Sequence, residues 1–244
     1  MSRLLPKEHG AYGQLGVPLA VALASGRPTL GASLLALAAV LAFVAHEPLL
    51  VAMGRRGPRK RDAEGERAWR VFTVRFTLAA ITGIGGLALA RPSLATLAGP
   101  VAAVVLVVVL LAQKMERTLF GEAGAAVALS GAAVPVATAA GVPLSEAAWH
   151  WAAWSVGFVT STVAVRAVIA RSKRRVERAS WGVIAAAFGG LAAGWTTPLL
   201  ASAPLVLTAA LVRVVSPHAR HLRKLGFTLL GASLATGAWL VFAT

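Results

Sequence analysis

Ionisable side chains recur in this chain where an apolar setting makes them expensive. Lys7, Glu8 and His9 stand directly before the apolar run Ala11–Ala24. His46 and Glu47 adjoin one another inside a second run, and Arg75, Glu122 and Arg166 interrupt later ones. A charge held within a bilayer marks either a paired structural element or a functional site. Two chemistries suit these residue types. Glu8, His9 and Glu47 are the candidates for moving a proton, since carboxylate and imidazole are the usual general acids and bases. Lys7, His46, Arg75, Glu122 and Arg166 are the candidates for holding a substrate, with the arginine forks matched to phosphate or carboxylate oxygens. His46 and Glu47 do not form a working pair with each other, because neighbours on a helix point about 100° apart. The plainer reading of the whole group is internal ion pairing and snorkelling toward an aqueous edge.

The elements that must carry these residues are apolar helices. Of 244 residues, 57% are hydrophobic and 14% charged, against roughly 25% charged in a soluble domain. The mean hydropathy is +0.74. These values predict an all-α, polytopic transmembrane bundle forming one domain over residues 1–244. Nine spans are expected, near 9–25, 30–53, 70–90, 94–113, 120–141, 147–170, 180–195, 198–214 and 225–243. Gly26-Arg27-Pro28, Arg91-Pro92, Gly141-Val142-Pro143, Thr197-Pro198 and Ser216-Pro217 punctuate them. The first run has 14 residues and covers about 21 Å, short of the ~30 Å hydrocarbon core. It crosses only if Lys7, Glu8 and His9 are drawn to the edge of the core. A secretory leader ending at Ala22-Leu23-Ala24 would also fit these flanks. Cleavage there would release nothing but further spans, so the segment is read as the first helix.

The formal net charge of +15 is concentrated in alternate loops. Loop 54–69 holds Arg55, Arg56, Arg59, Lys60, Arg61 and Arg67, and loop 171–179 holds Arg171, Lys173, Arg174, Arg175 and Arg178. Loops 114–119 and 215–224 are also basic, whereas the opposite side carries Arg27 and Arg91. The positive-inside rule then sets the N-terminus in the cytoplasm. The expected partners are membrane lipids, with anionic headgroups at the cytoplasmic face rather than nucleic acid. His150 sits beside Trp149, Trp151 and Trp154, which reads as an aromatic belt at the other interface.

Several chemistries lack their residues. There is no cysteine, and Asp62 is the single aspartate, within the solvated-looking stretch RDAEGER. A two-magnesium diphosphate site needs several carboxylates at helical spacing. His218 and His221 are the one close histidine pair, in a basic loop. No metal site is therefore expected, and no nucleotide-binding or nucleophile-elbow motif is present.

PKEHGAYGQLGVP, residues 6–18, resembles the opening of the YwiC-like family of bacterial integral membrane proteins, and HEPLL followed by GRRGPRKR fits the same family. That resemblance implies a bacterial cytoplasmic-membrane location. The layout also resembles the UbiA superfamily of intramembrane prenyltransferases, which implies nine helices, a cytoplasmic N-terminus and a cavity on the cytoplasmic side. RTLFGEAGAAVALSGAAVP, residues 117–135, is similar to that superfamily's fifth-helix segment. The superfamily's aspartate-rich motifs fall at the ends of helices two and six. Here those stretches hold His46, Leu50 and Gly54, and Arg166, Ala170 and Arg171, so no magnesium ligand carries over. The expectation is a cytoplasm-facing cavity that takes a lipid or isoprenoid phosphate without the usual magnesium motifs. The alternatives are an enzyme using Glu8, His9 or Glu47, a small-solute transporter, and a structural subunit of a membrane complex.

Overall fold

A computed structural model gives the fold. It describes residues 4–6, 9–91, 93, 95–97, 101, 105, 109, 118–174, 179–194 and 197–242. The expected fourth span, 94–113, falls largely outside these residues, as do Lys7, Glu8 and the side chain of His9. Every regular element among the described residues is helical. They are α1 (His9–Ala24), α2 (Leu30–Ala52), α3 (Pro58–Ala90), α4 (Leu119–Gly131), α5 (Ala133–Ala139), α6 (Leu144–Ser172), α7 (Ala179–Ala193), α8 (Ala203–Val215) and α9 (Leu222–Phe242). Short 3-10 turns, Pro198–Ser202 and Ala219–His221, lead into α8 and α9. Six segments are long and apolar enough to cross a membrane: Leu30–Ala52, Pro58–Ala90, Leu119–Ala139, Leu144–Ser172, Pro198–Val215 and Ala219–Phe242.

Three elements depart from the sequence expectation. The stretch 58–69 is helix rather than loop, so α3 runs 33 residues, about 50 Å. Pro58 occupies its first turn, where a missing N–H costs nothing. The following Arg, Lys, Ala and Glu residues are good helix formers even when they are too polar for the bilayer. The fifth span breaks into α4 and α5 at Ala132, whose backbone is αR but whose N–H donates to the carbonyls of Leu129 and Ser130, three and two residues earlier. The indole of Trp151 enters at this break and donates to the Val127 carbonyl at 2.9 Å. Gly131 makes room for it, since a methyl there would stand 3.1 Å from the indole nitrogen. The Trp149–Trp154 group is also not a uniform belt. Trp149 is exposed, but Trp154 is fully buried and stacks on Phe158 with ring centroids 5.2 Å apart.

Packing follows two themes. α6 is the hub, flanked by α4, α8, α7, α1 and α9. Trp154, Phe158, Val21, Leu205 and Leu240 join α6 to α1, to the 3-10 turn with α8, and to α9. Ala164, Val168, Ala209, Val212 and Leu225 continue that seam toward the basic loops. Gly157 permits the close approach of α8, because a methyl there would meet Leu205 at 2.6 Å. Such small contacts are the means by which helices associate where lipid is as apolar as leucine. By contrast, among the described elements α3 packs on α2, as a long hairpin. Among the described residues nothing stands within 4 Å of a methyl placed on Gly10 or Gly16 of α1, whereas one on Gly13 would meet Leu230 at 3.8 Å.

Candidate functional site

Of the charged residues singled out in the sequence, Glu47, Arg75, Glu122 and Arg166 lie among the described residues, and they gather at one end of the bundle. That end collects the N-terminus of α1, the C-terminus of α2, the start of α3 and α4, and the C-terminal half of α6. Tyr12 of α1 meets Phe43 of α2 edge-on at 5.0 Å. Gln14 of α1 donates to Thr162 of α6 over 3.4 Å. Three arrangements of charge occupy this end.

The first is Glu47 with Arg56. α2 closes with a left-handed residue, Gly54, at φ 74°. Gly54 N–H donates to Val51 and Arg55 N–H to Leu50, at 3.0 and 2.9 Å, the paired bonds of a Schellman closure. The closure folds the chain back on the helix and returns Arg56 to Glu47, nine residues earlier. Arg56 Nε donates to both carboxylate oxygens at 3.1 Å, and Nη2 donates to Oε2 at 2.5 Å. The Glu47 side chain is 3% exposed and that of Arg56 23%. Sequence reading gave Arg56 only as a loop charge. The overlooked signal is Gly54, which only a reversal of the chain requires.

The second is Arg75, in the third helix as expected but held by carbonyls. Pro48 lacks an N–H, so the helix leaves the Val44 carbonyl four residues earlier without its normal donor. Arg75 Nη1 supplies one at 2.7 Å and also donates to the Leu4 carbonyl at 2.7 Å. Leu4 itself is buried with Val51 and Ala68. Tyr12 hydroxyl donates to the Pro6 carbonyl at 3.1 Å. The segment Leu4–Pro6 is thus tied under the α2–α3 hairpin, and Arg75 is the tie.

The third is Glu122 with Arg166. Thr118 caps α4 by accepting from Gly121 N–H, which sets Glu122 in the first turn. Arg166 Nη1 lies 2.7 Å from Glu122 Oε1. The two side chains are 31% and 39% exposed. Thr162 lies one turn before Arg166 on the same face of α6, so the Gln14 contact continues this polar strip inward. His46 is half-buried beside Glu47. Among the described residues, no three of His, Asp and Glu come together as ligands for a metal ion.

Residues 5–138, which hold Glu47, Arg56, Arg75 and Glu122, match the family described as YwiC-like protein. The chain belongs to the YwiC-like family. With its set of apolar helices it is a multi-pass membrane protein. No curated protein and no solved structure matches it. The YwiC-like match ends at residue 138, near the C-terminus of α5, so Arg166 comes from the part of the chain beyond it.

Proposed function

We propose that this YwiC-like protein binds the phosphate headgroup of an anionic or isoprenoid lipid at its basic end, without magnesium. The observation that carries the reading is the Arg166–Glu122 pair, charged, between two helices and still about one-third open. Glu47 and Arg75 are enclosed in contacts that hold the fold together, whereas this pair meets its surroundings. A guanidinium is always charged and offers a planar fork for phosphate oxygens. Glu122 would keep it aimed, and Gln14 and Thr162 would continue the polar strip below it. The basic residues of 54–69 and 171–174 supply long-range attraction for an anion. The apolar tail would lie along the bundle. The positive-inside rule supports a cytoplasmic position for this end, at a bacterial inner membrane.

The test is native mass spectrometry of the purified chain with added isoprenyl diphosphate, with and without magnesium. Retention that does not need the metal, and that falls at least tenfold in Arg166→Ala, supports the reading. Equal retention by Arg166→Ala, or adducts of bulk phospholipid alone, overturns it.

A further inference from the structure

At the end opposite the basic loops, one buried nitrogen has no partner. His150, in the second turn of α6, is 5% exposed, and its Nε2 makes no hydrogen bond. Glu146 lies one turn earlier, its Oε1 3.8 Å from that nitrogen and its side chain 33% exposed. The imidazole lines a void with about 10 Å³ open to the centre of a water molecule. A water needs two to four polar partners to settle in such a space. The rest of the wall is apolar, from Pro18, Val21 and Ala22 of α1 and Ala133 and Ala137 of α5. Trp151 and Trp154 also line it, and the indole N–H of Trp151 is committed to the Val127 carbonyl. Among the described residues, no helix lining the void brings another titratable group to it, and Glu146 is the acidic partner within reach.

We propose that His150 and Glu146 form a proton-binding pair at this end of the protein. One proton taken up from the medium past the exposed Glu146 forms the Nε2–H bond. The imidazolium then closes the 3.8 Å gap to a charge-assisted hydrogen bond. The void gives the ring the freedom to swing by the ångström this requires. Because α1 and α5 line the same void, that movement would change the seam between them and α6. The site would let the protein sense pH on the face opposite its anion-binding end. This proposal stands apart from the lipid reading and uses none of its residues.

The experiment is ¹⁵N NMR of histidine-labelled full-length protein in nanodiscs from pH 4 to 8. His150→Gln assigns the signal among the five histidines. If that variant does not fold, a chain keeping His150 alone, with the other four changed to Gln, assigns it instead. The expected result is one protonation step for His150 in this range. Glu146→Gln should move its midpoint down, as loss of a close opposite charge does. A His150 signal that stays neutral throughout, or a midpoint that Glu146→Gln leaves in place, overturns the proposal.

Discussion

Glu47–Arg56 and Glu122–Arg166, both at the basic end, use the same groups and do opposite work. Glu47–Arg56 is local in sequence, forked on both oxygens and almost closed to its surroundings. Glu122–Arg166 joins residues 44 positions apart, and both of its side chains stay about one-third open. Burial decides what each pair is worth. In the closed pair, desolvation of two charges is offset only while both partners remain, so loss of one leaves a stranded charge. In the open pair, the surroundings can replace a lost partner, and the contact adds little to stability. The first pair is therefore suited to fix the end of α2, and the second is suited to exchange one partner for another.

The largest expected effect is at the closed pair. Glu47→Gln should destabilise the protein by about 3 kcal/mol, the lower edge of the cost of breaking a buried pair. Thermal unfolding in detergent would show it as a lowered midpoint. Replacing both residues together with leucine should recover most of the loss, because no charge is then stranded. A Glu47→Gln midpoint equal to wild type would erase the contrast between the two pairs.

Next comes the carbonyl tie. Arg75→Leu leaves the Leu4 and Val44 carbonyls without their donor, a loss of about 2 kcal/mol for a charged hydrogen-bond donor. Pro48→Ala restores an N–H for Val44, so in the Pro48→Ala background the same change should cost about 1 kcal/mol less. That coupling, read from a double-mutant cycle of melting or steric-trapping energies, separates a backbone role for Arg75 from a binding role. Additive effects would reject the tie.

These residues also mark what was legible in the sequence. Helix ends at Gly26–Pro28, Gly141–Pro143, Thr197–Pro198 and Ser216–Pro217 could be read because proline and glycine act locally. The start of α3 was misread because charge suggested a loop, whereas Pro58 and the run of helix formers after it extend the helix beyond the apolar stretch. Glu47, Arg75, Glu122 and Arg166 stood out because each charge is costly in its run, and they do gather at one end. Their partners were not legible. Arg56 reaches Glu47 only through the Gly54 reversal, and the donor for the carbonyl that Pro48 exposes comes from another helix. His150 was read as interfacial from its tryptophan neighbours. Its burial depends on α1 and α5 closing over that face of α6, which no local pattern encodes.

At the open pair the stability effect should be smaller. Arg166→Ala should cost less than about 1 kcal/mol, as exposed pairs do, while abolishing the retention of isoprenyl diphosphate. A loss comparable with that of Glu47→Gln would mean that both pairs are structural, and the distinction between them would fall.

The smallest effect sharpens the same boundary from below. Gln14 and Thr162 meet at 3.4 Å, at the long edge of a hydrogen bond, one helical turn inward from Arg166. Interhelical hydrogen bonds of this kind average about 0.6 kcal/mol in membranes. Gln14→Leu should thus change the melting midpoint by little, since the added apolar contact offsets a weak bond. Its effect on lipid retention is the informative quantity. If the polar strip below Arg166 helps to seat a phosphate, Gln14→Leu lowers retention several-fold with stability unchanged. If the headgroup stops at Arg166, retention is the same as in wild type, and the inner limit of the site lies between Arg166 and Thr162.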